Sequence, residues 1–590
     1  MKEPRKIVKF ARSNYVALLF FAIFLVALLL RVYGLNWDEG YHLHPDERMI
    51  LIVADRIKFF TNLDPDFFAY GSFPIYLLRL VSEFLNFIVK DEITNYSGML
   101  LVGRYLSTMF ELGTVVLVFE LSLKFFKDKL KALFSMFFYS IAFFPIQNSN
   151  FFITDTILTF LMFLLLSILV KYLYTKKGSV SNTILQIIKI GVIFGVIMAT
   201  KITGIIFLPV VGLVLLIKSS NWQTKVVDWK NLLIRISVFI LVSIFTSFIC
   251  MPYAFLNWQK FFADISSQFR MNSDPYVFPY TLQYVGTTAY LYYLRNIFLW
   301  GLGPFLSILA IIGIYKLLLK FVNEIKQKKI RHTSTRTILL LFSFFFYLFY
   351  FIVIGRSAVK FMRYMLPVYP FLAILVCYGF FHLVEIKKQK NRNVQKIAHL
   401  VFNNIKFGFA ILVVFFACLW SLAFVNIYAL EHTRIQATQW ILSNIAQGSN
   451  IGVEHWDDRL PLDQSEKYNI VELTLYDRPD DEFKWQQMDE KLKSIDYLVI
   501  ASNRLYVPLQ KLAECNKYKE CYPKTSKYYQ DLFNNQKDFQ LMQTFSVTPY
   551  LRVPFTDILI EIDDQGADES FTVYDHPKIY IFKNNRLSGN

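Results

Sequence analysis

The chain has 590 residues, of which 55% are hydrophobic and 18% aromatic, and its mean hydropathy is +0.38. This composition excludes an ordinary soluble globular protein and predicts an integral membrane protein. The formal net charge of +17 lies largely in short segments between apolar stretches, where basic residues set membrane orientation. No basic recognition helix accompanies it, so we expect no nucleic-acid partner.

Long apolar stretches recur to about Tyr428 and predict about eleven transmembrane helices. Their approximate positions are 15–32, 100–123, 132–147, 150–170, 183–200, 202–217, 232–250, 297–319, 337–354, 364–384 and 407–428. Basic residues precede the first stretch, follow the second and fourth, and fill Lys320 to Arg336 and Lys387 to Lys406. By the positive-inside rule, we expect a multi-pass plasma-membrane protein with a cytoplasmic N-terminus and an extracytoplasmic C-terminus.

Two predicted external loops are long, at about 33–97 and 252–293. Met49 to Phe60 in the first loop alternates apolar and polar residues, which predicts an amphipathic helix at the membrane interface. The second loop is rich in aromatic residues, which suit a membrane boundary and also a groove for a lipid or a sugar. Loops of this length indicate a function beyond connection.

After a transmembrane domain of residues 1–430, residues 431–590 have the composition of a soluble α/β domain. We predict a helix from Thr433 to Ile445 and strands at 451–454, 497–501, 539–545 and 579–582. Cys515 and Cys521 are close enough in sequence to pair if this domain faces an oxidising compartment, but the sequence leaves the pairing open.

The first external loop carries acids and histidines in a short space, namely Asp38, Glu39, His42, His44, Asp46 and Glu47. Such a carboxylate can act as a general base towards an acceptor hydroxyl, or it can bind a divalent cation. His42 and His44 with Glu47 are candidate metal ligands. The alternative is a solvated loop with ordinary charges. The chain has no phosphate-binding loop of the nucleotide-binding types, so no nucleotide cofactor is expected.

Ionisable residues within the apolar segments are few, and each is a functional candidate because burying a charge in a bilayer is costly. On the predicted topology, Arg104, Asp155, Lys201 and Arg363 all lie at the outer side. Taken singly, the two arginines could merely extend to the interface. Together these residues place cations and acids where a site for a lipid phosphate or pyrophosphate would need them.

Six short motifs are spread over most of the first 430 residues. In chain order they are Pro45-Asp46-Glu47-Arg48, Gly71-Ser72-Phe73-Pro74-Ile75-Tyr76, Gly103-Arg104, Asn150 to Thr156, Thr200-Lys201 and Arg363-Tyr364-Met365-Leu366-Pro367. This ordered set resembles the membrane glycosyltransferases of the C superfamily, in the branch of protein O-mannosyltransferases and aminoarabinose transferases. Ser502-Asn503-Arg504 and Phe571 to Pro577 resemble a bacterial subgroup known only as phospholipid carrier-dependent glycosyltransferases.

The resemblance implies an inverting transfer of a sugar from a polyprenyl-phosphate carrier to an acceptor hydroxyl of a protein, lipid or glycan outside the membrane. It implies that Asp46 is the catalytic base and that Lys201 and Arg363 contact the donor phosphate. We expect Arg104 to join them at the phosphate and Glu47 to assist Asp46. The expected supporting residues are Asp38, Glu39, Asp155 and Tyr364. A flippase for a lipid-linked sugar is the main alternative, and a structural assembly partner is a third.

Overall fold

The computed structural model describes residues 3–174, 180–221, 226–326, 335–384, 395–534 and 538–585. Parts of the two basic stretches used to predict orientation, 327–334 and 385–394, lie outside these ranges. The first part of the chain is almost entirely helical. Its α-helices are α1 (Glu3–Val32), α2 (Pro45–Arg56), α3 (Ser72–Val89), α4 (Gly98–Phe126), α5 (Lys129–Ser140), α6 (Phe143–Ser149), α7 (Thr154–Tyr174), α8 (Val180–Thr200), α9 (Leu208–Ser219), α10 (Trp229–Cys250), α11 (Tyr253–Leu256), α12 (Trp258–Ser273), α13 (Leu291–Asn296), α14 (Pro304–Lys326), α15 (Thr335–Gly355), α16 (Tyr369–Val384) and α17 (Gln395–Val425).

Shorter elements connect these helices. A two-stranded antiparallel pair joins β1 (Ser220–Asn221) to β2 (Val226–Val227). The 3-10 helices are Ile202–Phe207, Pro279–Tyr284, Met362–Val368 and Asn426–Ala429, and a π-helix spans Ile297–Gly301. Two of the 3-10 helices directly precede α-helices: Ile202–Phe207 precedes α9, and Met362–Val368 precedes α16. Each of these two apolar segments therefore begins with a 3-10 turn instead of a regular α-helix.

The predicted fold class is confirmed. Among the described residues, eleven helical segments are long and apolar enough to cross a membrane, and the chain is a multi-pass membrane protein. Two elements differ from the prediction. The stretch 132–147 is not one helix, because α5 and α6 meet at an angle of 60°. Ser72–Val89, within the predicted first loop, is a long apolar helix whose mean hydropathy of 1.4 is reduced by Arg79 and Glu83.

Close helix packing in the membrane region depends on small residues, as is usual between membrane helices. Gly313 of α14 and Gly379 of α16 face each other. A Cβ atom on Gly313 would lie 2.0 Å from the carbonyl oxygen of Leu375, and one on Gly379 would lie 2.0 Å from that of Leu309. The two backbones therefore touch at this crossing, and a larger residue at either position would force the helices apart.

The C-terminal region is mixed α/β, as predicted. Its helices are α18 (Thr433–Asn444), α19 (Glu482–Ser494), α20 (Tyr506–Lys511), α21 (Pro523–Phe533) and α22 (Glu569–Thr572), with a 3-10 helix at Ser465–Lys467, and its strands are β3 (Asn450–Glu454), β4 (Asn469–Leu473), β5 (Tyr497–Ile500), β6 (Phe539–Phe545), β7 (Tyr550–Arg552), β8 (Leu559–Glu561) and β9 (Ile579–Asn584). The predicted helix and all four predicted strands are present. The strand β4 and the β7–β8 hairpin were not predicted.

Five of these strands form one sheet in the order β4-β3-β5-β9-β6. Strands β4, β3 and β5 are parallel to one another, whereas β9 is antiparallel to both β5 and β6. Cys515 and Cys521, whose pairing the sequence left open, form a disulfide beside the sheet.

The C-terminal region packs directly on the membrane helices. Trp37 and Phe151 share one buried apolar cluster with Val573 and Tyr574. Gln147 of α6 donates hydrogen bonds to the carbonyl oxygen of Phe571 at 2.8 Å and to Asp575 at 3.0 Å. The segment Phe571 to Pro577 thus reaches the first external loop, next to the candidate site.

Candidate active site

A cavity of about 1370 Å³ lies between the membrane helices and the C-terminal region. Its charged lining residues divide into two groups. The end formed by the membrane helices has four bases and two acids, namely Arg48, Lys201, Arg356, Arg363, Asp46 and Asp155. The end formed by the C-terminal region has the reverse balance, with Asp457, Asp458, Asp463, Glu569, Arg459 and Arg504. Arg48 pairs with Asp458 across the two groups at 2.9 Å, and the buried Arg434 pairs with both Asp457 and Asp458, so the remaining excess of charge is positive and lies at the membrane end.

Asp46 lies in the first turn of α2, at the cationic end of the cavity. The helix starts there because His44 is the N-cap, whose Nδ1 accepts the Asp46 N–H at 3.2 Å, and because Pro45 follows it. The Asp46 carboxylate receives an N–H from Arg363 at 2.8 Å and the hydroxyl of Tyr70 at 2.9 Å. Burial alone would raise the pKa of Asp46, but the charge of Arg363 and the hydrogen bond from Tyr70 outweigh it, so the net pKa is lowered and the side chain is ionised at neutral pH.

Arg363, Asp155 and Lys201 continue from Asp46 as a chain of alternating charges. Arg363 Nε lies 3.8 Å from Asp155 Oδ2, and Lys201 Nζ binds the two Asp155 oxygens at 2.8 and 2.9 Å. The Lys201 ammonium also lies 4.8 Å from the centroid of the Tyr364 ring. Two cations thus face the cavity side by side with only their acid partners between them, which is a suitable arrangement for an incoming phosphate.

Broken helices place these two cations. Helix α8 ends at Thr200, Lys201 is extended (φ −158°, ψ 125°), and a 3-10 turn follows. The break is fixed by Gly71, whose N–H donates to the Thr200 carbonyl at 3.1 Å and which leaves no room for a Cβ, 2.0 Å from the Ala199 carbonyl oxygen. Arg363 lies in the corresponding 3-10 turn before α16, where Pro367 prevents a regular helix start.

The structure does not bring Arg104 to the cavity. Its guanidinium is fully buried and donates to Asp38 at 2.8 and 2.8 Å, to Glu47 at 3.0 and 2.8 Å, and to the Leu35 carbonyl at 2.8 Å. These contacts occupy all five N–H groups that an arginine has. Glu47 also accepts the N–H of Phe152 at 2.7 Å, so it faces away from Asp46. This buried triad joins the first loop, α2 and α4, and holds the segment that presents Asp46.

The two histidines do not fit a metal site. His44 is buried, its Nδ1 serves as the helix cap, and its ring lies 4.0 Å from that of Tyr574. Burial lowers the pKa of His44 to about 3, so its ring is neutral. His42 is stacked on Tyr96 with ring centroids 4.2 Å apart. Within the described ranges, no group of three or more His, Cys, Asp or Glu side chains is placed to hold a metal ion.

The remaining predicted residues differ in their placement. Asp155 and Tyr364 line the cavity beside Lys201, whereas Glu39 is exposed and does not line it. Sequence reasoning missed two tyrosines. The Tyr70 hydroxyl donates a hydrogen bond to Asp46 at 2.9 Å, and the Tyr574 hydroxyl accepts one from Arg363 at 3.3 Å. Both residues adjoin or belong to the motifs quoted above, which was the available signal.

The family model described as dolichyl-phosphate-mannose-protein mannosyltransferase matches residues 77–264, a range that includes Asp155 and Lys201. The chain is therefore similar to this glycosyltransferase family over about a third of its length. No curated protein sequence matches it.

Solved structures are similar to this chain at low sequence identity. The archaeal oligosaccharyltransferase AglB from Archaeoglobus fulgidus, in complex with an inhibitory peptide and a dolichol-phosphate, is similar with a TM-score of 0.52 and 12% identity over 94% of this chain and 75% of that one. ArnT from Cupriavidus metallidurans bound to undecaprenyl phosphate has a TM-score of 0.49 and 12% identity, covering 85% of this chain and 95% of that one. The AglB similarity is one of fold alone.

Proposed function

We propose that the protein transfers a sugar with inversion from a polyprenyl phosphate to an acceptor hydroxyl, with Asp46 as the catalytic base. The observation that carries this proposal is the presence, in one cavity, of an ionised carboxylate and a pair of cations, Arg363 and Lys201, fixed beside it. A flippase needs no such base.

The cavity suits an amphiphilic donor. Next to Lys201 and Arg363 its lining becomes apolar, with Ile202, Ile205, Ile206, Val353 and Ile354 from the membrane helices. Ile205 and Val353 are exposed on the apolar outer surface of the helices. A polyprenyl chain can therefore lie against this side with its phosphate at the two cations, since burying apolar surface is favourable while the charged head stays paired.

The proposed reaction is one displacement. The acceptor O–H gives its proton to Asp46 as the acceptor oxygen forms a bond to the sugar C1, and the bond from C1 to the phosphate oxygen breaks. The lipid phosphate leaves with the bonding electron pair and gains one negative charge, which Arg363 and Lys201 stabilise. Asp155 contacts two cations, Lys201 through both oxygens and Arg363 at 3.8 Å, whereas Asp46 has one cation and one neutral hydroxyl as partners, so we assign Asp46 as the base. A single displacement inverts the configuration at C1.

We also propose that the cavity and the region after about residue 430 lie outside the plasma membrane, with the N-terminus in the cytoplasm. The disulfide between Cys515 and Cys521 supports an oxidising location for this region. A flipped lipid-linked donor on that side explains how the enzyme works without a nucleotide sugar.

The test is transfer from a panel of synthetic polyprenyl-phosphate sugars by purified protein, for wild type, Asp46→Asn and Glu39→Gln. We expect at least about a thousandfold loss for Asp46→Asn and near wild-type rates for the exposed control Glu39→Gln. NMR of the product reports the configuration at C1, and a parallel reaction with chelator reports any dependence on a divalent cation. Normal turnover by Asp46→Asn, or retention at C1, would refute the mechanism.

A further inference from the structure

The C-terminal region contributes the second end of the cavity, and its chemistry differs from that of the donor end. We propose that this end binds a carbohydrate acceptor, with one sugar ring stacked on the indole of Trp456. The proposal rests on the glycosyltransferase function proposed above and assigns the acceptor class. We call the residues Trp456, Asp457, Asp458, Asp463 and Arg504 the acceptor wall.

The acceptor wall lies where an α/β sheet usually binds its ligand. Strands β3 and β5 are parallel, and the residues after their carboxyl ends are His455 to Asp458 and Ala501 to Arg504. Trp456, Asp457 and Asp458 of the first segment and Arg504 of the second line the cavity. The crevice outside the carboxyl ends of parallel strands is the common binding position in open α/β sheets, because side chains from neighbouring strands converge there.

Trp456 is held in an unusual backbone conformation that turns it towards the cavity. Its φ of +75° lies in the left-handed region, which is rare for a bulky residue. Arg504 fixes the turn, since its Nη1 donates to the Trp456 carbonyl at 3.1 Å and its Nε donates to Glu569 at 2.7 Å. Despite this support the side chain stays 41% exposed. A fixed and exposed indole is a ready surface for the C–H face of a sugar ring.

Charge argues for a neutral, hydroxyl-rich acceptor. The acids of this end that line the cavity are Asp457, Asp458, Asp463 and Glu569. Arg434 pairs with Asp457 and Asp458, and Arg504 pairs with Glu569, so this end is close to neutral overall. Its carboxylate oxygens can accept hydrogen bonds from sugar hydroxyls, but it has no excess of positive charge to attract a phosphate or carboxylate group. The donor end of the same cavity has more bases than acids. An anionic ligand therefore belongs at the donor end and a neutral polyhydroxy ligand at the acceptor wall.

The acceptor wall is joined to the proposed base by one side chain. Arg48, two residues after Asp46 on α2, binds Asp458 of the wall at 2.9 Å. A sugar seated on Trp456 thus adjoins the helix turn that carries Asp46, as transfer requires.

The sheet does not offer the cavity a free edge to which a peptide could add a strand. Adding a strand to a sheet edge is one common way in which an extended peptide gains affinity. The edges of this sheet are β4 and β6, whereas the cavity meets the ends of β3 and β5. Strand ends offer side chains rather than a row of backbone N–H and carbonyl groups. The acceptor wall therefore contacts its ligand by ring stacking and by hydrogen bonds from side chains to hydroxyls.

The experiment measures transfer to fluorescently labelled neutral oligosaccharides, acidic oligosaccharides and Ser/Thr peptides, together with hydrolysis of the donor by water. The proteins are wild type, Trp456→Ala, Trp456→Phe and the control Trp258→Ala. Trp258 is 57% exposed on α12 and does not line the cavity. We expect wild type to use a neutral oligosaccharide. Trp456→Ala should raise the KM for it by about tenfold or more, while Trp456→Phe and Trp258→Ala stay within about threefold of wild type.

Donor hydrolysis separates this inference from the function on which it rests. Unchanged hydrolysis by Trp456→Ala, with a raised acceptor KM and an unchanged apparent Tm, supports a stacking role. Preference for Ser/Thr peptides or acidic oligosaccharides, or a Trp456→Ala variant that glycosylates neutral sugars normally, would overturn the inference while hydrolysis persists. If wild type neither hydrolyses nor transfers from any donor, the proposed function fails first.

Discussion

Replacing Arg104 with methionine should destabilise the protein strongly and in a pH-dependent way. Methionine has about the same length, but it leaves the carboxylates of Asp38 and Glu47 buried without their cation. Asp38 keeps the N–H groups of Leu43 and Gly40, and Glu47 keeps the N–H of Phe152. In the wild type, burial raises the pKa of Asp38, but Arg104 and the N–H groups of Leu43 and Gly40 outweigh this effect, so the net pKa of Asp38 is lowered. Without Arg104 the balance reverses.

The loss in the free energy of unfolding has an upper limit, because a buried carboxylate of the folded variant can take up a proton and so lose its charge. Protonating one carboxyl group with an ordinary pKa of about 4 costs roughly 4 kcal/mol at pH 7, at about 1.4 kcal/mol for each pH unit. Loss of one partner from a buried ion pair costs about 3–5 kcal/mol, which agrees. Since a raised folded-state pKa favours folding at low pH, the loss should shrink to about 1–2 kcal/mol near pH 5.

The assay is thermal unfolding of the purified protein in detergent, followed by intrinsic fluorescence between about pH 5 and pH 8. The apparent Tm of Arg104→Met should be well below that of wild type at neutral pH, and the gap should narrow steadily as the pH falls. Arg79→Met is the control, because its partner Glu83 is 41% exposed and can be hydrated. A gap in Tm that does not vary with pH would refute this account of the buried carboxylates, and a normal Tm with a raised donor KM would show that Arg104 binds the donor phosphate instead.

Three further predictions concern the cavity and the disulfide. The Tyr70→Phe substitution removes a hydrogen bond to the Asp46 carboxylate, so the pKa of Asp46 should rise. The acidic side of the pH profile of kcat/KM should then move up by about one pH unit. An unchanged profile would show that Asp46 is not the group that titrates there. Lys201→Met should raise the donor KM by about tenfold or more without changing the acceptor KM, and equal effects on both substrates would contradict a phosphate contact. Cys515→Ser breaks the disulfide to Cys521, which should lower the stability of the C-terminal region by about 2 kcal/mol; an unchanged apparent Tm would argue against that loop-closure contribution.

Local sequence patterns predicted most of the secondary structure. Hydropathy located the long membrane helices, and apolar alternation located strands such as Phe539–Phe545. The helix Ser72–Val89 was not predicted as a membrane helix, because Arg79 and Glu83 lower its mean hydropathy. In the structure Arg79 is largely buried and donates to the Thr94 carbonyl at 3.0 Å, a contact that no window of sequence displays.

Residue type and motif order predicted which side chains to consider at the site, but not which of them meet. Asp46, Asp155, Lys201 and Arg363 come from four separate segments and share one cavity. Arg104 has the same charge and an equally suggestive place in the sequence, yet it lies among carboxylates away from that cavity. Charge at a predicted membrane boundary identifies an arginine that needs a partner. It does not identify the partner.

The sequence by itself determined the membrane character, the approximate helices, the mixed α/β region and the candidate residues, because hydropathy and periodicity depend on neighbours along the chain. Only the tertiary structure decided the pairings. Arg104 binds Glu47 across 57 positions, and Gln147 binds the carbonyl oxygen of Phe571 across 424 positions. That second contact brings the C-terminal region against the cavity and creates the acceptor wall. Such contacts depend on how whole helices and the sheet pack together, and that packing is set by the shape and burial of many side chains at once.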